Sequence, residues 1–492
     1  MNHILRNVIV IGGGPAGLTC AYELQKKVPG IAPVVLEAGK IVGGIARTES
    51  HNGYRFDIGG HRFFTKVKEV EQVWEEVMGD DFITVPRLSR IHYRDKFYDY
   101  PLKPMNALRN LGPVETVLII GSLLRYQLFP HRKEETFEHW VTNRFGHRLY
   151  SHFFKSYTEK VWGVPCTEIR ADWAAQRIKN LSLTKAVWNA LTGANDTSSL
   201  IEQFRYPRLG PGQMWEKVTA LIKQNGGDVR TGAWVKRVLH EGNRVTGVEV
   251  CETDPATGQI NTFIQDGTDF INTMPLRELV HCMDPPPPQD VILAADKLKY
   301  RDFMIVTLVL DHADPFPDNW IYIHSADVKV GRIQNFGAWS KAMIPEANRS
   351  SIGMEYFCND TDELWAMSDE ELLTLAGNEL EKIGLAPASS VVDGAIIRQP
   401  KAYPVYDSEY KDALDVLKEW VAGFKNFQTV GRNGLHRYNN QDHSMLSAML
   451  AARNILGEHH DVWDVNVERS YHEEFSTKPF VRKPANLAAA AE

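Results

Sequence analysis

Three glycines, Gly12, Gly14 and Gly17, stand in G-x-G-x-x-G spacing within "VIVIGGGPAGLTC". That spacing serves one chemistry well. The first glycine makes a tight turn, the second lets a pyrophosphate approach the backbone, and the third lets a helix pack on a strand. Pro15 and Ala16 open the helix, whose free N–H groups and dipole favour an anion. Glu37 lies 20 residues beyond Gly17 and, with Ala38, ends the next apolar run. A carboxylate there accepts from ribose hydroxyls and repels a 2′-phosphate. These residues predict a dinucleotide site at the start of the chain.

Three further stretches sharpen the reading. Gly43-Gly44, followed by Arg47, forms a second phosphate-side loop directly after the acid. This doublet favours FAD, held extended, over NAD. In "YRFDIGGHRFFTK" the pair Gly59-Gly60 lets the backbone pass close to something bulky and flat, and His61 follows at once. In "TVGRNGLHRYNNQDHSMLS" a glycine turn precedes a helix. Gly431, Arg432, Asn440, Gln441, Asp442 and Ser444 are candidates there for the ribityl chain or pyrimidine ring. Plain helix capping by Asp442 or Ser444 is the alternative. Val235 is a further candidate cofactor contact.

The elements that must position these residues read as a βαβ unit over "NVIVI", the glycine turn and helix, and "PVVLEA". The strand-like "NFQT" and the helix after it resemble that unit and are expected to return to the same sheet. The expected organisation is a first part of the FAD-binding domain over 1–65, a mainly helical substrate subdomain over 66–205, a second FAD part over 206–280, an antiparallel-sheet substrate domain over 281–400, and a third FAD part with the C-terminal helix and tail over 401–492. The apolar run 114–124 is far short of a membrane span and is expected to pack as a core helix, with a membrane-surface role as the alternative.

Composition excludes some classes. A net charge of −7 argues against a nucleic-acid partner. Five scattered cysteines without a CxxC pair fit a reduced, cytoplasmic protein. No metal site and no membrane span are expected, and oligomerisation stays open.

The glycine motif, the doublet and "FDIGGH" resemble the FAD-dependent amine oxidase and protoporphyrinogen oxidase superfamily. "FDIGGHRFF", "KSYTEKVWGVP", "FRYPRLGPGQMWE", "NWIYIHS", "GRIQNF" and "RYNNQDHS" resemble, more narrowly, the longer eukaryotic UDP-galactopyranose mutases. The resemblance implies an α/β fold, with a Rossmann-like FAD-binding domain of the GR2 type interleaved with a helical subdomain and an antiparallel-sheet domain. It implies a nucleotide-sugar substrate, a UDP-sugar, and non-covalent FAD that acts in its reduced form, with NAD(P)H a candidate reductant. Flavin N5 then attacks the anomeric carbon and displaces UDP, and the sugar ring opens and recloses in the other size. Residue by residue, it implies Arg177, Arg332, Tyr403 and Tyr438 as pyrophosphate binders. His61 would tune flavin N5, with Tyr100, Trp320 and Tyr322 as walls. Arg62 and Lys66 depart from the family pattern. A net oxidase or desaturase on another substrate is the alternative, and a flavin-binding protein without catalysis is a third reading.

Overall fold

The buried run Val8–Ile11 starts the fold. All four side chains are shielded, as a strand covered on both faces requires. In this computed structural model, which describes residues 6–100, 102, 104–171 and 203–465, that strand pairs in parallel with Val34–Glu37 on one side and Asp269–Asn272 on the other. Asp228–Thr231 and Phe427–Thr429 complete a five-stranded parallel sheet. Its strands come from widely separated stretches of chain, and the last one returns beside the first. The helix Pro15–Lys27 packs along Gln441–Ile455. A Cβ on Gly431 (φ +85°), in the glycine turn before that helix, would lie 2.9 Å from that of Ala16, so the turn sits against the mouth of the first helix.

A seven-stranded sheet forms the second layer, in the order Val391–Pro404, Tyr300–Leu310, Ser350–Cys358, Arg332–Asn335, Trp320–Ile323, Ser89–Tyr93, Lys96–Asp99. It is not confined to 281–400, and it is not wholly antiparallel. The last two strands come from the stretch expected to be mainly helical, and Ser89–Tyr93 runs parallel to Trp320–Ile323. The turn of this hairpin hid it from the sequence. Arg94 and Asp95 sit at φ +51° and +56°, the left-handed geometry usually signalled by Asn-Gly.

A helical layer, Pro104–Leu111, Pro113–Leu128, Phe137–Tyr150 and Ser156–Trp162, covers one end of that sheet. Pro113–Leu128 is not the core helix expected. Only Ile119 and Leu123 are buried, while Val114 and Leu128 are 75% and 72% exposed. The run is apolar on both faces, and the fold supplies a neighbour for one. That neighbour crosses closely at Gly146 (φ +77°), where a Cβ would come 2.8 Å from the backbone nitrogen of Leu123.

The hairpin Thr48–His51/Tyr54–Asp57 turns on Asn52-Gly53, both at positive φ, and delivers the chain to Gly59-Gly60. Its end is anchored by Asp57, which is fully buried and accepts from the Tyr206 hydroxyl and from Thr48 Oγ1 (2.9 Å). Thr48 Oγ1 in turn accepts from Gly212 N–H at 2.9 Å. Burial pushes the Asp57 carboxyl up to about 7, against the lowering effect of these hydrogen bonds and of Arg55.

Two predictions follow from these contacts. A Cβ on Gly17 would lie 1.9 Å from the Gly12 carbonyl oxygen. Gly17→Ala therefore costs about 1–3 kcal/mol of stability and reduces bound flavin, read from the thermal melt and the flavin-to-protein absorbance ratio; a variant retaining both disproves the close packing. Asp57 binds its proton more tightly folded than unfolded, so its contribution is greatest below its ordinary value of 3.8 and is lost as pH rises through about 7. Asp57→Asn, which does not titrate, should flatten that decline, and a pH series of melts in which wild type and variant run parallel would sink the assignment.

Candidate active site

The glycine turn, the doublet loop and the third element converge at the carboxyl ends of the parallel strands, where open α/β sheets bind ligands. Gly12 takes φ +102°, and a Cβ there would strike Thr273. A Cβ on Gly14 would meet nothing nearer than Gly44 Cα at 3.7 Å, so this edge is open to a phosphate. Gly43 N–H donates to the Gly13 carbonyl at 2.8 Å, locking the doublet against the turn. Arg47 is spent on the same task. It donates to the Gly44 carbonyl and to Gln399 and pairs with Glu49 at 2.6 Å, contacts that brace the loop. Glu37 accepts from Gly13 N–H and Gly39 N–H, each at 2.7 Å. These bonds aim the carboxylate at the end of its strand, with Ala38 exposed beside it.

At the other end of the cleft, Gln441 accepts from Trp215 Nε1 at 3.2 Å, and Asp442 and Ser444 are buried in the first turn of their helix. Asn440 N–H donates to His443 Nδ1 at 3.3 Å. Val235 is buried in the strand Ala233–Glu241.

His61 sits beyond Gly59 (φ +90°) and Gly60. Its Nδ1–H donates to the Gly59 carbonyl at 3.0 Å, which leaves Nε2 as an acceptor. Burial, with Arg432 and Arg332 close by, pushes its pKa down to about 4 despite that hydrogen bond. The ring is therefore neutral at physiological pH.

Arg332 is the centre of the second cluster. Register sets it opposite Glu355 on the neighbouring strand and Tyr322 on the other. Its Nε pairs with Glu355 at 2.5 Å and its Nη2 donates to the Tyr403 hydroxyl at 3.1 Å. Gln334 Nε2 donates to the second Glu355 oxygen at 2.7 Å. Burial opposes the charge on Arg332, yet Glu355, Tyr403, Tyr157 and Tyr438 together hold its pKa well above the ordinary value. Tyr403 stacks on Tyr438 with ring centroids 5.6 Å apart. The Arg432 guanidinium lies over both rings, at 4.9 and 4.2 Å. The Tyr100 and Tyr322 rings meet at 4.4 Å, tilted by 38°, with Trp320 edge-on to Tyr322. Arg62 and Arg87 lie over the Trp320 ring at 5.9 and 5.7 Å.

Three of the four expected phosphate binders, Arg332, Tyr403 and Tyr438, thus stand together. Arg177 lies outside the described residues. Gln334, Glu355, Arg87 and Tyr157 were missed. Gln334 was within reach, two positions after Arg332 and so on the same strand face. Glu355 was not, because only strand register makes it a partner.

The cleft fits a flavin. Gln334 Oε1 and Arg432 Nε are buried without a protein partner among the described residues. Because Glu355 requires a donor, it is the acceptor end of Gln334 that points away, 3.8 Å from where a Cβ on Gly60 would sit. The open edge at Gly14 and the free turn of the helix Pro15–Lys27 suit the pyrophosphate.

Comparison with known proteins agrees. The model of the family of flavin-containing amine oxidoreductases matches residues 15–456. Among curated relatives, a 1-hydroxycarotenoid 3,4-desaturase of Flavobacterium sp. (strain P99-3) is 25% identical over 50% of this chain and 53% of its own, and the chloroplastic protoporphyrinogen oxidase 1 of Arabidopsis thaliana is 26% identical over 32% and 31%. The chain thus spans about half or less of these relatives. Among solved structures, reduced UDP-galactopyranose mutase superposes with a TM-score of 0.79 at 20% identity, covering 92% of this chain and 94% of that one. Putrescine oxidase bound to putrescine gives 0.61 at 16%, covering 92% and 99%. These structural likenesses establish the fold. With a family model running almost from end to end, the chain belongs to the flavin-containing amine oxidoreductases, and FAD is its cofactor.

Proposed function

We propose that the protein rearranges a nucleotide sugar between pyranose and furanose forms without net oxidation, in the manner of a UDP-galactopyranose mutase. The observation that carries this reading is the Arg332–Tyr403–Tyr438 cluster. A guanidinium fork matches phosphate oxygens bidentately. Here the fork is charged, pre-aimed by Glu355 and flanked by phenol hydroxyls that donate without adding charge. Arg432 adds a second cation behind the tyrosine pair. Such a set stabilises a pyrophosphate leaving group as its bond to the sugar breaks and re-forms. A cationic amine would meet two guanidinium groups.

FAD, reduced and non-covalently held, supplies a nucleophile for the anomeric carbon. Gly14, Gly43, Gly44 and the helix mouths would hold it. His61, neutral and with Nε2 as an acceptor, can accept a hydrogen bond near the ring without adding a charge. Tyr100, Trp320 and Tyr322 offer flat surfaces to the base and sugar. The reaction returns its electrons, so a reductant such as NAD(P)H primes the flavin and is not consumed stoichiometrically.

A second reading, net oxidation or desaturation of an apolar substrate, draws support from the carotenoid desaturase relative and from the aromatic wall. It gives the Arg332 cluster no task.

Two outcomes are expected. Arg332→Lys keeps a cation beside Glu355 but loses the fork, so UDP affinity falls about tenfold or more, roughly 1.4 kcal/mol, in a calorimetric titration. Reduced protein converts UDP-galactofuranose to the pyranose, seen by chromatography, with no matching oxygen uptake. UDP binding untouched by Arg332→Lys, or no pyranose formed, refutes the proposal.

A further inference from the structure

The helix Pro113–Leu128 is turned the wrong way round for a surface helix. Its polar side chains bond the protein. Glu115 accepts from Arg148 at 2.5 Å and pairs with His152 at 2.8 Å, and Ser122 Oγ accepts from Arg148 N–H at 3.1 Å. Its apolar side chains face out. Val114, Val117, Leu118, Leu124, Leu128 and the following Phe129 are 75%, 69%, 45%, 52%, 72% and 74% exposed. They recur at helical spacing with Gly121, so they form one continuous stripe. Scattered exposed apolar residues need no explanation, but a contiguous stripe marks a surface that is covered in use.

Charge selects the cover. From Asn106 to Glu135 the sequence holds four cations, Arg109, Arg125, Arg132 and Lys133, and three acids, Glu115, Glu134 and Glu135. Glu115 is consumed by Arg148 and His152, Glu134 by Arg144, and Glu135 lies 3.9 Å from Lys133, which leaves Arg109, Arg125 and Arg132 exposed toward the two ends of the stripe. A second copy packed antiparallel across the stripe would set Arg109 against Arg125 and Arg132, cation on cation. An anionic lipid surface complements them. The helix spans about 24 Å at 1.5 Å per residue, less than the hydrocarbon core of about 30 Å. No helix among the described residues is long and apolar enough to cross a membrane. A position in the plane of the interface, with Phe129 at its end, suits a helix of that length.

We infer that the helix Pro113–Leu128 docks this protein on anionic membrane surfaces, its aliphatic stripe entering the headgroup boundary and its flanking cations pairing with lipid phosphates and carboxylates. Docking leaves the active-site cleft intact, since none of the stripe residues lines it.

Flotation of the FAD-loaded, full-length protein with phosphatidylcholine vesicles, with and without phosphatidylserine, tests this. Binding is expected with phosphatidylserine, at least tenfold weaker without it, and weakened by salt. Leu124→Glu/Leu128→Glu should abolish binding with the flavin spectrum and melting temperature unchanged. Arg125→Glu/Arg132→Glu/Lys133→Glu leaves the stripe in place and should remove the preference for phosphatidylserine. Failure of the wild type to float overturns the inference. So does light scattering showing a dimer that Leu124→Glu/Leu128→Glu splits while flotation persists, since the stripe then covers a second copy.

Discussion

The buried pair between Arg332 and Glu355 is the constraint from which the site is built. Glu355 is 1% exposed, and its two oxygens are both occupied, one by Arg332 and one by Gln334. A carboxylate removed from water in this way requires such partners, and stripping one away typically costs about 3–5 kcal/mol. The pair is an accident of register made permanent: Arg332 and Glu355 face each other across two antiparallel strands. A slip of one residue in either strand would put the two side chains on opposite faces of the sheet. The pair therefore fixes which way Arg332 and Gln334 point, and through Arg332 it fixes the Tyr403 hydroxyl.

The same sheet position connects the pair to the flavin side. Gly59 lies close enough that a Cβ on it would sit 4.0 Å from Arg332 Nη2, and one on Gly60 would sit 3.8 Å from Gln334 Oε1. A Cβ at either position would make ordinary van der Waals contact, and it is the φ of +90° at Gly59 that calls for glycine. The pair lies between two layers that the chain joins only through long excursions. Asp57 secures the hairpin from below through Tyr206, more than a hundred residues away in sequence. On the far side, Lys160 donates to the carbonyls of Ser325, Val328 and Val330 at 2.9–3.0 Å, and Glu379 accepts from the N–H groups of Lys329 and Val330. The loop between Tyr322 and Arg332 is held from both sides.

What was legible in the sequence follows from this. The glycine turn, Glu37 and the doublet are local devices whose chemistry depends on spacing along one stretch, and each stands where its spacing implied. Arg332, Tyr403 and Tyr438 were legible only through resemblance, because each alone is an ordinary residue. Glu355 and Tyr157 carried no local signal, since strand register and helix placement make them partners. Arg47, expected on the phosphate-side loop, also braces that loop through Gln399 far along the chain, a contact its spacing could not announce. The helix Pro113–Leu128 was misread because an apolar run announces burial without saying how many neighbours are available.

Electrostatics narrows the chemistry further than fold does. The flavin-containing amine oxidoreductase framework is shared by proteins whose names point to very different substrates, a carotenoid, a porphyrinogen and putrescine among them. Fold alone cannot choose between them. Glu355 balances Arg332, so Arg432, whose guanidinium lies over the Tyr403 and Tyr438 rings, leaves one positive charge in excess beside the cluster. Burial makes that surplus count, since the screening water would provide is excluded. His61, kept neutral by the same surroundings, adds no charge of its own. On the proposed reading, a substrate carrying two phosphates would answer that charge, whereas an ammonium group would be repelled by it. That reading therefore favours an anion that departs and returns over an amine that is oxidised.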